Sequence, residues 1–430
     1  MSVVQRKLIT RRGALNASVS VPGSKSISNR AVLLAALARG RSELTGVLDS
    51  DDLRVMAHAL QALGVPVEVH QDRWLIEGQA GRLHGQKAGV TPLDVQASGT
   101  AARFLTAVAT LAEGPVRLDG TPRMRQRPIN DLVDALRGLG AQIDIEGERG
   151  CPPLLCHGGG LAGGAVTVDA SRSSQYVSAL LQVAPYARDQ VTINLREGVL
   201  VSRPYVDVTL GVMEAFGIKA GFADERTLTV HSSQGYQGRS YQVEPDASTA
   251  AYFFAAAAIA GGRVCVEGLP GASRQADMAV LDLLERMGCH IDRNSNSCAV
   301  TGPDHELQPI VVDMNAMPDA VLAMAVVALF AKGTSRIENV ANLRIKESDR
   351  LAALETELRK LGAEAHADED SLTITPGPNL HGAVIDTYDD HRMAMAFSLA
   401  GLRVPGVEIR DPQCVSKSFP GYFDLFDTLR

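Results

Sequence analysis

The chain has 430 residues, 45% of them hydrophobic and 21% charged, with a formal net charge of -7 from 42 basic and 49 acidic side chains. That length exceeds one ordinary core and predicts two or more domains. The acidic balance argues against a general nucleic-acid binder, yet a local basic cleft for a small anion remains compatible with it, because clefts focus their own field.

From the N-terminus, Met1-Ser2-Val3-Val4-Gln5-Arg6-Lys7 is not followed by an apolar signal core. Then a polar start leads into a nearly all-apolar helix, and this happens six times. The starts are Ser24-Lys25-Ser26, Ser98-Gly99-Thr100, Ser173-Ser174-Gln175, Asp246-Ala247-Ser248, Met317-Pro318-Asp319 and Asp390-His391-Arg392. Helices apolar on most faces are buried helices. The most apolar run, Phe253 to Ala260, stops at Gly261-Gly262, well short of the roughly 20 residues a spanning helix needs. No membrane partner is expected, and the chain reads as cytoplasmic.

A second phrase shares the period: an amphipathic helix, then Gly, then a short alternating strand. Its glycines are Gly64, Gly140, Gly217, Gly288 and Gly362, about 75 residues apart, with a sixth copy beginning at Phe423-Asp424-Leu425 and cut off by the C-terminus. Each glycine stands where a helix C-cap needs a left-handed backbone. The pattern predicts α/β units with central helices covered by sheets and outer helices, divided three and three, with a crossover near Val243-Glu244-Pro245.

Polar residues gather at the starts of the buried helices, where free N–H groups and the positive dipole end bind anions. Lys25 and Arg30 flank the first start, without a P-loop; an ordinary N-cap at Ser24 or Ser26 with solvated basic neighbours accounts for the pattern equally. Arg103 lies on an otherwise apolar helix and needs a partner or a ligand. Arg123, Arg125 and Arg127 form a basic turn, whose usual meaning is a solvated face, and Pro128 can open the next helix. Asp319 reads as a cap or first-turn acid. In Asn342-Leu343-Arg344-Ile345-Lys346-Glu347-Ser348-Asp349-Arg350, Lys346 and Arg350 share a face if helical, and Glu347 with Arg350 makes either a surface bridge or a catalytic pair. Of the six cysteines, Cys151 and Cys156-His157 lack the second half of a metal clip, and the scattered thiols fit a reducing compartment.

Taken together, PGSKSISNRA, SGTAAR, RPINDLVDAL, SRSSQYVSALL, VSRPYVDVTL, MPDAV, NLRIKESDRL, DDHRMAMAFSLAG and SKSFPGYF closely resemble the 5-enolpyruvylshikimate-3-phosphate synthases of the enolpyruvyl transferase family, over essentially the whole chain. The resemblance implies an α/β fold of the inside-out barrel type, in two similar domains of three βαβαββ units each. The domains would be 1–22 plus 244–430 and 23–243, closing a cleft on the substrates. It implies transfer of the enolpyruvyl group of phosphoenolpyruvate to the 5-hydroxyl of shikimate 3-phosphate, by a monomer, with no metal or organic cofactor.

Carried over by the same resemblance, Asp319, Glu347 and Lys25 are catalytic. Lys25, Ser26, Arg30, Ser173, Ser174, Gln175, Ser202, Tyr205, Asp319, Asn342 and Lys346 bind shikimate 3-phosphate. Lys25, Gly99, Arg127, Gln175, Arg350, Arg392 and Lys417 bind phosphoenolpyruvate. One departure stands out: Ala97-Ser98-Gly99-Thr100 replaces the family's common Asn-Ala-Gly-Thr, so an Asn contact is lost. Because glyphosate-insensitive relatives often carry Ala at the Gly99 position, the retained glycine implies sensitivity. Two rival readings remain: the related transferase acting on UDP-N-acetylglucosamine, which has Lys-Asn in place of Lys25-Ser26, and a non-catalytic phosphometabolite-binding protein, which the pair Asp319 and Glu347 disfavours.

Overall fold

A computed structural model describes residues 5–86, 89–196, 200–232 and 235–430. Met1 to Val4, part of the opening read above for a signal core, lie outside the described residues. The chain divides into two compact units, Gly23–Val243 and Met1–Pro22 with Glu244–Arg430.

Within 23–243, buried and outer helices alternate: α1 (Lys25–Leu37), α2 (Asp51–Ala62), α3 (Gly99–Ala109), α4 (Asn130–Gly138), α5 (Ser174–Val183) and α6 (Pro204–Ala215). The bodies of α1, α3 and α5 are buried on nearly every face, as their composition requires. Three four-stranded sheets accompany them, and all three share one pattern: a parallel pair followed by two antiparallel pairings. In the first sheet the parallel strand, Ser240–Gln242, comes from the far end of the unit and lies beside Arg39–Thr45.

The unit of 1–22 and 244–430 repeats the plan with α7 (Ala247–Ala260), α8 (Val280–Arg286), α9 (Val321–Ala328), α10 (Arg350–Lys360), α11 (His391–Ala400) and α12 (Tyr422–Asp427). The N-terminal segment completes it. Leu15–Ser20 runs parallel to Gly262–Glu267, and Arg6–Leu8 pairs antiparallel with Glu408–Arg410, supplying the truncated sixth copy with a strand from the other end of the chain. Among the described residues no helix is long and apolar enough to cross a membrane.

The predicted glycine caps are one motif used five times. Gly64, Gly140, Gly217, Gly288 and Gly362 all have positive φ. After each, the next N–H reaches back to the carbonyl five residues earlier, as Val65 does to Leu60 and Ala363 to Leu358. This is a Schellman ending, which closes the carbonyls left open at the helix end and turns the chain into the next strand.

Candidate active-site residues

In the unit 23–243, Ser24, Ser98 and Ser173 cap α1, α3 and α5, each accepting a backbone N–H through its hydroxyl. Arg30 of α1 ties this helix to the others. Its guanidinium donates to Ser178 Oγ on α5 at 3.3 Å and to Thr209 Oγ1 on α6 at 2.7 Å. It also stands 5.2 Å from the Phe104 ring centroid of α3. Gln175 Nε2 donates to Thr100 Oγ1 at 3.1 Å, joining the first turns of α3 and α5 directly. Three positive helix ends therefore share one end of this unit, an arrangement suited to anions.

At the first start Ser24 is the cap and Lys25 the first helical residue, but the basic neighbours are not solvated as the plain cap reading had it: Arg30 is buried. Lys25 Nζ stands 3.6 Å from Asp52 Oδ2, and both side chains are nearly buried. Arg30 is buried, which lowers its guanidinium to about 10; its further donors go to the carbonyls of Ser26 and Tyr205. Arg103 has protein partners, donating to the carbonyls of Gly99 at 3.1 Å and Pro128 at 2.9 Å. Tyr176 donates to the same Pro128 carbonyl at 2.8 Å, so the segment bearing Arg127 is held from two helices.

Pro128 does not open α4, which begins at Asn130 after the cap residue Ile129. The basic turn is also divided. Arg125 is a solvated partner of Asp119, whereas Arg127 is buried against the Cα of Gly99. Ser202, buried and with φ of 57°, accepts the Tyr205 N–H and leads into α6.

The second cluster lies in the other unit. Asp319 is neither cap nor first-turn residue, since α9 starts at Val321. Its carboxylate instead accepts Arg350 Nη1 at 3.2 Å and Arg392 Nη2 at 2.8 Å. Arg350 is buried and donates as well to Glu347 Oε2 at 3.0 Å and Asp390 Oδ2 at 2.8 Å. The Glu347–Arg350 bridge is therefore not a surface pair: the two side chains are 12% and 1% exposed. Lys417 Nζ stands 3.8 Å from the other Glu347 oxygen. Lys346 and Arg350 do not share a helix face, because Lys346 is extended and α10 begins at Arg350 behind the Asp349 cap. Asn342 lies in the 3₁₀ turn Ala341–Ile345, and Lys346 caps the C-terminal end of that turn.

Three pairings were not visible in sequence. Asp390 caps α11 through the Arg392 N–H while pairing with Arg350. Tyr252 on α7 stands 3.4 Å from Arg392 Nη1, its hydroxyl pushed up to about 12 by burial. Asp277, wholly buried, accepts Ser248 Oγ at 2.7 Å, and burial with the nearby Asp319 charge raises it to about 6. Burial is the largest influence on the Arg392 guanidinium and works to lower it, but Asp319, Tyr252 and Asp277 together outweigh it and hold Arg392 well above its ordinary value. Burying charges is tolerable only with such pairing. Chemically, the network offers fixed cations for phosphate or carboxylate and two carboxylates held on one arginine for proton transfer.

A family model described as EPSP synthase (3-phosphoshikimate 1-carboxyvinyltransferase) matches residues 9–426. The 3-phosphoshikimate 1-carboxyvinyltransferase of Vibrio cholerae serotype O1 (strain M66-2) is 47% identical over 420 residues, 96% of this chain and 97% of its own. That of Yersinia pestis bv. Antiqua (strain Angola) is 47% identical over 418 residues, 96% of each chain. Among solved structures, an EPSP synthase from Acinetobacter baumannii superposes with a TM-score of 0.81 at 27% identity, covering 99% of this chain and 98% of that one. The enolpyruvyl transferase NikO from Streptomyces tendae shares the fold, with a TM-score of 0.80 at 18% identity over 99% of this chain and 98% of its own. The α/β fold expected from the repeats is that of these structures, and the chain belongs to the EPSP synthase family.

Proposed function

We propose that this protein transfers the carboxyvinyl group of phosphoenolpyruvate to the 5-hydroxyl of shikimate 3-phosphate and releases inorganic phosphate. The observation that carries the reading is the Asp319–Arg350–Glu347 arrangement in a chain that matches the family over residues 9–426. Two carboxylates with acid–base capacity are held on one buried guanidinium, beside the cations Arg392 and Lys417.

In this reading Asp319 takes the proton of the 5-hydroxyl as its oxygen attacks carbon 2 of phosphoenolpyruvate, while Glu347 protonates carbon 3. The tetrahedral adduct then loses phosphate, which departs with the proton Asp319 had taken, and Glu347 recovers the proton from carbon 3 to restore the double bond. Arg127, Arg350, Arg392 and Lys417 neutralise phosphate and carboxylate charge, with Gly99 and Gln175 beside them; Lys25 neutralises the bridging oxygen. Ser26, Arg30, Ser173, Ser174, Gln175, Ser202, Tyr205, Asn342 and Lys346 hold shikimate 3-phosphate, with Arg30 also tying α1 to α5 and α6. The protein acts as a cytoplasmic monomer on its two anionic substrates, without metal or organic cofactor.

A phosphate-release assay with phosphoenolpyruvate tests the reading. Release that depends on shikimate 3-phosphate supports it. Release with UDP-N-acetylglucosamine instead, or with neither acceptor, overturns it.

A further inference from the structure

Behind the Asp319 network lies a second buried carboxylate that the proposed reaction does not use. Glu357 sits on α10 two turns beyond Arg350, so both point from the same side of one helix. It is completely buried, where a carboxylate persists only with good partners. Those partners belong mainly to one short segment. Tyr388 Oη donates to Glu357 Oε1 at 2.6 Å, and the Asp386 N–H donates to Oε2 at 3.2 Å. Lys360 Nζ bridges Glu357 Oε1 at 2.9 Å and Asp386 Oδ2 at 2.7 Å. Arg410 anchors the other Asp386 oxygen at 2.8 Å, from the strand that pairs with Val384–Ile385.

This segment has an unfavourable backbone. Tyr388 and Asp389 are consecutive non-glycine residues in the left-handed region, with φ of 56° and 54°. Such conformations persist when the surroundings over-determine them. Directly after them comes Asp390, which accepts Arg350 Nε and Nη2, Ser348 Oγ and the Arg392 N–H. The segment 386–390 is thus tied to α10 at two levels, to Glu357 at one end and to Arg350 at the other. Arg392, two residues on, owes its position against Asp319 to where that turn ends.

We infer that Glu357 is a positioning residue: by gripping Asp386 and Tyr388 it holds the left-handed turn that delivers Asp390 and Arg392 to Arg350 and Asp319. The inference rests on the reading above only in taking Arg392 as a phosphoenolpyruvate ligand. Burial and the Glu357 carboxylate raise the Tyr388 hydroxyl above its ordinary value, so it stays a donor at all working pH.

The experiment compares Glu357→Gln, Glu357→Ala and Tyr388→Phe by amide hydrogen exchange and steady-state kinetics on the full chain. Tyr388→Phe removes one hydroxyl from a residue that is 43% exposed, so it keeps the fold if the Glu357 variants do not. In Glu357→Ala and Tyr388→Phe, exchange should quicken in the peptide spanning 386–392 and not in the body of α9. The KM for phosphoenolpyruvate should rise, by about tenfold in Glu357→Ala for one lost buried network contact, with the KM for shikimate 3-phosphate unchanged. Glu357→Gln, which keeps an acceptor for Tyr388, should recover most of the loss. Unchanged exchange over 386–392 in Tyr388→Phe overturns the proposal. Faster exchange with an unchanged phosphoenolpyruvate KM also overturns it, and Arg392→Ala then separates the causes: weaker phosphoenolpyruvate binding in that variant leaves the functional reading intact, and unaltered binding removes that reading too.

Discussion

The guanidinium of Arg127 lies against the Cα of Gly99, so that a Cβ on that glycine would come within 2.6 Å of Arg127 Nη2 and 2.7 Å of Nη1. The glycine opens α3 and Arg127 ends the 3₁₀ turn before α4, so the packing joins two successive helix starts of one unit. Gly99→Ala should leave the fold intact, because the obstructed group is the end of a flexible side chain. The displaced Arg127 should raise the KM for phosphoenolpyruvate by about tenfold, equivalent to roughly 1.4 kcal/mol, with a smaller change for shikimate 3-phosphate. Kinetics with each substrate varied in turn provide the check, and equal KM values in both proteins would remove Arg127 from phosphoenolpyruvate binding.

Glu347 is held by Arg350 on one oxygen and approached by Lys417 on the other. Glu347→Gln preserves an acceptor for Arg350 while removing the proton-transfer capacity. Turnover should fall by about 10²- to 10⁴-fold, the usual range for a lost general acid or base, and the substrate KM values should shift far less. Single-turnover rates measured with both substrates saturating decide the matter; a near-native rate would exclude Glu347 from chemistry.

Asp277 yields a pH prediction. Its folded-state value is raised from 3.8 to about 6 by burial and by Asp319. The folded protein therefore holds this proton more tightly than the unfolded chain does. The associated stability is fully present below pH 3.8 and is lost as the pH rises through about 6. Asp277→Asn, which stays neutral, should gain on the native protein across that window, by up to about 3 kcal/mol at 1.36 kcal/mol per unit. Chemical denaturation of both proteins from pH 4 to pH 8 measures the difference, and a gap that does not change with pH would contradict the shift.

Gly262 has φ of 77°, and a Cβ there would fall 2.0 Å from the Leu15 carbonyl oxygen. Both residues belong to the parallel pairing that binds the N-terminal strand to Gly262–Glu267. Neither backbone can retreat without breaking that pairing. Gly262→Ala should cost at least about 2 kcal/mol, since strain at a positive φ and a backbone clash add. Urea unfolding of the variant tests it, and a change under about 0.5 kcal/mol, the scale of an ordinary surface substitution, would mean the strand is not held as described.

The repeats, the buried helices and the five glycine caps were legible in the sequence because they are local: periodicity of apolar residues and the chirality of the backbone act over a few turns. The starts of the buried helices could be read for the same reason, and five of the six carry Ser or Asp as the observed cap. The exception is α9, where Asp319 precedes the helix and is drawn to Arg350 and Arg392 instead. Family motifs in order and spacing were equally readable, since they need no coordinates.

The pairings themselves were decided only by the tertiary structure. Lys346 and Arg350 look like helical neighbours, yet the Asp349 cap starts the helix between them. Tyr252 meets Arg392 across 140 positions, and Lys7 meets Asp427 across 420. A buried charge takes whichever partners packing brings within reach, because desolvation penalises it until it is paired. Sequence supplied the helices and the candidate charges; the fold chose which charges face one another.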